Sequence, residues 1–485
     1  MVRSLFGAVA AVILVAAVMV VRALMVGAPA PVAPAPAINI DGMSVARHLA
    51  EAVRFKTISY GDTAHEAAKE SALSAFRDWL AATYPKCNRA AAREVIGQSL
   101  LYTWQGRDPK RKPILLMAHM DVVPVVPGTE KDWVHPPFSG DISGGYVWGR
   151  GSIDDKGPLI AIMEACERLA AQGFTPERTV MIAAGQDEET GGTNGNAVIA
   201  KTLAARGVHF DWVLDEGGAI IDEPFPGVST PVAFVAVGEK GYLSLELTAH
   251  GEGGHSSRPT KDMAVTRLAS AILKVVHSPF RSGIDNIERE QLHILAPMVP
   301  FAPRLLLANL WISEPVVERF LEMDPETAAL LHTTIAPTML NAGVKDNVLP
   351  PTAHATINFR LHPRDSIDDA VAHVRRAIAD PKVDIRVMTE NASEASKVAD
   401  IHGPAYAFLS REIEDSFGIR VAPVLAIVAT DSRHYLPIAD NVFRLDPFHF
   451  GPDDLARIHG TNERLAVGDL APAVGFYMHL MQDSK

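Results

Sequence analysis

Two periods of apolar residues divide this chain. From about residue 41 to 238, short continuous apolar runs alternate with stretches in which apolar residues recur every three or four positions. Pro113–Ala118, Thr179–Ala184 and Phe210–Leu214 have strand length, and continuous apolar runs of that length suit strands covered on both faces. Between the first two, Leu159, Met163, Cys166 and Leu169 mark one face of a helix, with Glu164, Glu167 and Arg168 opposite and Gly173 as a stop. The pattern predicts an α/β fold, a sheet sandwiched by helices.

After Gly238 the period becomes two. Leu243, Leu245 and Leu247 alternate with Ser244, Glu246 and Thr248, while Ala355, Ile357, Phe359 and Leu361 alternate with Thr356, Asn358, Arg360 and His362. Such strands bury one face and expose the other. Helices are predicted over Asp262–His277 and from Ser366, where Asp369 can complete a capping box and Ile367, Val371, Val374 and Ile378 share a face before Pro381. Residues 239–390 therefore read as an inserted α+β domain, with an apolar, Pro-containing, partly helical insertion at about 279–337. Residues 391–485 return to the α/β texture and rejoin the first domain.

Residues 1–27 follow neither period. Leu5 to Val21 is an uncharged apolar run flanked by Arg3 and Arg22, near the minimum of about 17 residues that crosses a bilayer. It reads as a signal anchor, with the Ala/Pro-rich segment 28–40 as a stiff tether and the catalytic part outside the cytoplasm. The alternative is a removable signal peptide and a secreted or periplasmic protein. A net charge of -12 without a basic stripe argues against a nucleic-acid partner. With only Cys87 and Cys166 there is no disulfide framework, and one bridge or two free thiols both stand.

Candidate chemistry gathers where strands end. His119 and Asp121 follow the first strand, Asp154 and Asp155 precede the helix, Glu188 and Glu189 follow the next strand, and Asp215 and Glu216 follow the last. Ligands of open α/β sheets bind at the carboxyl ends of the strands. So many carboxylates in one place must either take up protons or hold cations. Imidazole and carboxylate without clustered thiolate suits zinc, with Co²⁺ or Mn²⁺ as alternatives.

These positions also match a known family. His119-Met-Asp121, Gly149-Arg-Gly-Ser-Ile-Asp-Asp-Lys-Gly157, Asp187-Glu-Glu-Thr-Gly-Gly192, Leu214-Asp-Glu-Gly-Gly218, Gly254-His-Ser-Ser257 and Ile458-His-Gly-Thr-Asn-Glu463 resemble, in order, motifs of the aminoacylase/carboxypeptidase S family of dizinc metallopeptidases. Within it the chain is most similar to the branch of vacuolar carboxypeptidase S and the secreted N-fatty-acyl-amino-acid synthase/hydrolases. The resemblance implies a catalytic domain with a ferredoxin-like lid that serves in dimerisation, and two Zn²⁺ per subunit. His119, Asp154 and Asp215 would hold one ion and Asp154, Glu189 and His459 the other, with Asp154 bridging. Asp121 would orient His119, and Glu188 would be the base that deprotonates the water between the metals. His255 would assist at the oxyanion, often across a subunit boundary, while Arg360 and Asn347 would bind the substrate carboxylate. The implied activity is hydrolysis, reversible for some members, of N-acyl amino acids or short peptides. Phe301, Leu305, Leu306, Leu307 and Trp311 are the expected contacts of a long acyl chain. A noncatalytic scaffold on the same fold is the competing class, and its signature would be a missing ligand or base.

Overall fold

The computed structural model describes residues 2–27, 32–36, 38–225, 227–389, 392–451 and 453–484. The expected boundaries at 27/28 and 390/391, and part of the 28–40 tether, lie outside the described residues or at their edge.

One mixed sheet organises the catalytic part. Its strands run in the order Ala92–Ile96, Ser99–Trp104, Val180–Gly185, Ile114–His119, Phe210–Ile221, Ala439–Phe450, Val232–Glu239 and Arg420–Ala426. Val180–Gly185, Ile114–His119 and Phe210–Ile221 are parallel neighbours, so their carboxyl ends share one edge of the fold. Alternation sorts their side chains between two cores. Ile114, Leu116, Ile182 and Leu214 pack with the helices Gly42–Val53, Lys156–Ala171 and Val467–Asp483. Leu115, Met117, Met181 and Val213 pack on the other side with the helix Asn196–Ala205. Cys87 and Cys166 form a disulfide joining the helix Pro85–Ala90 to Lys156–Ala171. Glu164, placed by the sequence pattern on the exposed side of that helix, is instead buried between His48 and Arg168, which satisfy its carboxylate.

The inserted domain is a four-stranded antiparallel sheet ordered Thr334–Ala342, Thr352–Leu361, Gly241–His250, Val383–Val387. The helices Ala264–Val276 and Ile367–Ile378 cover one face, giving the ferredoxin-like βαββαβ arrangement. The Ser366–Asp369 capping box forms as its residues predict. Between the first helix and strand Thr334–Ala342 stand the helices Asn286–Leu295, Phe301–Leu307, Leu310–Leu321 and Pro325–Leu331. Leu295 packs with Val232 and Ala422 of the large sheet's edge, so this insertion leans on the catalytic part. The N-terminal helix spans Val2–Met25, and its residues Phe6–Met25 are almost wholly exposed.

Candidate active site

The strand ends deliver their acids to one place. His119, the last residue of its strand, is buried and places Nε2 2.9 Å from Asp154 Oδ1 and 3.3 Å from Glu216 Oε1. The other oxygen of Asp154, Oδ2, lies 3.0 Å from His459 Nε2, which is 3.1 Å from Glu189 Oε2. Two donor groups result, His119–Asp154–Glu216 and Asp154–Glu189–His459, each with its ligand atoms within 4.8 Å of one another and with Asp154 common to both.

Glu216, rather than the expected Asp215, therefore sits with His119. The cause is the length of the strand, which does not end at Leu214 but continues as Phe210–Ile221. Consecutive residues of a strand face opposite ways. Asp215 accordingly turns from the cluster, where its Oδ2 accepts from the Ser432 backbone N–H at 2.8 Å.

Buried polar groups hold these residues in place. Asp121 takes a hydrogen bond from Ser59 Oγ at 2.6 Å, and its two oxygens accept from the backbone N–H groups of Glu188 and Glu189 at 3.1 and 3.3 Å. Its own backbone oxygen lies 3.0 Å from His119 Nδ1, so this one residue orients the imidazole and the acidic turn together. Asp187 steadies the same turn, its Oδ2 accepting from Asn194 N–H at 2.8 Å. Glu463 accepts from the backbone N–H groups of Ile153 and Asp154, and pairs at 2.6 Å with Arg150, which also donates to the carbonyls of His459 and Gly460. Arg150 thereby secures a histidine whose backbone occupies the left-handed region at φ 59°. The peptide bond between Asp154 and Asp155 is cis.

The loop after Ala429 gains a role that sequence alone did not supply. Arg433 donates to the Gly191 carbonyl at 2.8 Å, and Asp431 accepts from Asn196 at 2.7 Å beside Gly192. A Cβ at Gly192 would fall 1.7 Å from an Asp431 oxygen, and its φ of 68° also favours glycine, so the close fit of loop and turn depends on that residue.

The donor set suits divalent metal. Burial, reinforced by Asp154, pushes Glu216 well above the ordinary carboxylate range, and burial together with Glu216 does the same to Glu188. Burial beside Asp154 raises Glu189 to about 7. Hydrogen bonds with Asp154 and Glu189 lift His459 to about 10. Asp155, Asp431 and Asp446 each keep a buried carboxylate oxygen without a hydrogen-bond partner. The cluster is short of positive charge, and its imidazole and carboxylate ligands are those that borderline cations take.

A cavity of ≈ 540 Å³ opens from the cluster, floored by Asp154, Glu188, Glu216 and His459 and walled by Ile221, Phe234, Leu330, Val424, Ile427 and Ile458 among others. Phe301, Leu305, Leu306, Leu307 and Trp311 are not in this lining. They belong to helices further along the insertion, of which only Asn286–Leu295 and Pro325–Leu331 reach the cavity, through Gln291, Glu326, Thr327 and Leu330. A second cleft adjoins Glu189 and is lined by Tyr242, Arg433 and His434.

The lid residues stand apart. His255, in the short strand Gly254–His255, and Asn347, in the turn before the partner strand Val348–Leu349, are both exposed; the Ser256 N–H donates to the Asn347 carbonyl at 3.1 Å, and Ser257 donates to His255 Nδ1. The Arg360 guanidinium, half-buried on the open sheet face, stacks 4.8 Å from the ring centre of Tyr242. None of the three lines the cavity at the acidic cluster.

Comparison with known proteins agrees with this geometry. The family model "Peptidase family M20/M25/M40" matches residues 115–483. The chain is 39% identical to the probable carboxypeptidase S-like 2 of Dictyostelium discoideum over 92% of this chain and 86% of that one. It is 36% identical to the N-fatty-acyl-amino acid synthase/hydrolase PM20D1 of Xenopus tropicalis over 89% and 84%. Among solved structures, the M20 family metallo-carboxypeptidase Sso-CP2 from Sulfolobus solfataricus superposes with a TM-score of 0.65 over 91% of this chain and 99% of that one, at 17% identity, which shows a common fold.

Proposed function

The chain belongs to Peptidase family M20/M25/M40, and we propose that it is a dizinc hydrolase that cleaves N-acyl amino acids bearing an apolar acyl group. The observation that carries this reading is the apolar cavity opening directly at the acidic cluster. His119, Asp154 and Glu216 would hold one ion, and Asp154, Glu189 and His459 the other. Metal there supplies Lewis-acid polarisation of the scissile carbonyl and a more acidic water.

The remaining chemistry falls to the chain. Glu188 stands at the cavity floor without a place in either donor group. Its carboxylate, raised by burial and by Glu216, is the base that takes the proton of the attacking water and returns it to the departing nitrogen. Asp121 keeps Glu188 in register with His119 through the turn it caps. The cavity wall excludes bulk water and takes the acyl chain, leaving the amino-acid part to the cleft at Tyr242 and Arg433. Arg360 would reach the substrate carboxylate by leaving Tyr242 as the lid closes. The exposed His255 and Asn347 suit a lid that pairs with a second subunit. The N-terminal helix would anchor the enzyme with its catalytic part outside the cytoplasm, or be removed on secretion.

A peptide carboxypeptidase is the second reading, favoured by the likeness to carboxypeptidase S-like 2. Rates of hydrolysis for matched N-acetyl and long-chain N-acyl amino acids, with dipeptides in parallel, separate the two. Preference for long chains supports the first; equal rates on short and long chains, or a preference for dipeptides, would overturn it.

A further inference from the structure

The insertion carries an apolar face that the site does not use. On the helix Leu310–Leu321, Leu310, Val317 and Leu321 turn into the insertion's core. Ile312, Val316 and Phe320 repeat every fourth residue on an exposed stripe that Met323 extends beyond the helix, with Trp311 beside its start. Val316, Phe320 and Met323 are 57, 55 and 76% exposed. Glu314 and Glu318 lie on another side of the helix, Glu314 paired with Arg289 at 2.7 Å, and the exposed Arg319 flanks the stripe.

Position gives this stripe its meaning. Arg22, the first charge after the apolar run of the N-terminal helix, donates to the Ala308 carbonyl at 3.3 Å, while Asn309 donates to the Met19 carbonyl at 3.0 Å. The start of Leu310–Leu321 is thus tied to the level at which a helix spanning a bilayer would leave the hydrocarbon. Exposed apolar residues of the N-terminal helix, Val18, Val21 and Leu24 among them, lie at that same end. An amphipathic helix held there, with tryptophan at its edge and an arginine able to reach headgroups, has the make-up of an interfacial helix.

We propose that the helix Leu310–Leu321 lies in the interface of a lipid bilayer, its Ile312–Val316–Phe320–Met323 stripe buried among the acyl chains. The occupant of this surface is lipid. The next helix, Pro325–Leu331, lines the cavity, so the docked insertion joins the membrane surface to the site through a few residues of chain. The proposal is independent of which amide the site cleaves.

The disulfide makes the test simple, because an engineered cysteine is the only thiol to label. Full-length Val316→Cys carries an environment-sensitive fluorophore in vesicles of phosphatidylcholine and phosphatidylglycerol, with and without lipids bearing nitroxides on their acyl chains. Leu273→Cys, on an exposed position of a lid helix, is the solvent control, and Met323→Cys repeats the reading elsewhere on the stripe. The proposal expects blue-shifted emission and nitroxide quenching at 316 and 323, and neither at 273. Emission at 316 and 323 matching that at 273 would overturn it. So would blue-shifted emission that the nitroxides leave unquenched, since a second protein copy would then cover the stripe.

Discussion

Glu463→Gln tests how the two halves of the site are held together. Arg150 and Glu463 form a buried pair at 2.6 Å, with side-chain exposures of 2 and 0%. The glutamine can still accept from Ile153 N–H and Asp154 N–H, but Arg150 loses its counter-charge in a site water does not reach. Breaking one side of a buried pair costs about 3–5 kcal/mol, and the upper part of that range applies if the amide turns its NH₂ toward the guanidinium. Function should suffer as well. Glu463 orients Asp154 and Arg150 holds the carbonyl of His459, and loss of a partner that orients metal ligands weakens metal binding by roughly 10- to 100-fold. Urea unfolding and zinc titration against a competing chelator measure the two effects on one preparation. Unchanged stability and unchanged zinc affinity would refute the role given to the pair.

Glu216→Gln should weaken metal binding and activity, whereas Asp215→Asn should leave the metal content near that of the wild type; the reverse order, by elemental analysis, would restore Asp215 as the ligand. Replacing Cys87 and Cys166 with serine opens a bridge between residues 79 positions apart, and loop entropy puts the loss at up to about 4.5 kcal/mol; thermal melts that do not move would contradict a stabilising bridge. Each methylene added to the acyl chain should raise kcat/KM about fourfold, from ~0.8 kcal/mol per buried methylene, until the cavity is full. Leu330→Trp, which narrows the cavity, should end that rise at a shorter chain, and an unaltered chain-length profile would exclude the cavity as the acyl site.

Much of this arrangement is legible in the sequence because it depends on local rules. Apolar runs at Pro113–Ala118 and Thr179–Ala184 locate strands to within a residue, and Ser366 with Asp369 marks a helix start that forms as written. His119, Asp154, Glu189 and His459 come together because strands and turns of one sheet open on one edge. What eluded the sequence depends on register or on distant packing. Asp215 and Glu216 differ by one residue, and only the full extent of their strand decides which faces the cluster. Glu164 reads as solvated until His48, from a helix far away in sequence, is seen to partner it. The cavity wall draws on Ile221, Phe234, Val424 and Ile458, which stand in four separate segments of the chain, whereas the more conspicuous apolar run Leu305–Leu307 lies elsewhere. Cys87 and Cys166 carry no pairing signal at their separation, and folding alone brings their Cα atoms to 5.3 Å.

In the proposed mechanism the acidic cluster holds metal and Glu188 moves the proton. The most direct test is Glu188→Gln, assayed for zinc content and for hydrolysis of a long-chain N-acyl amino acid on the same purified sample. That mechanism predicts wild-type zinc occupancy with kcat reduced by about 10²- to 10⁴-fold. Full activity in the variant, or wild-type protein that is active and free of metal, would contradict it.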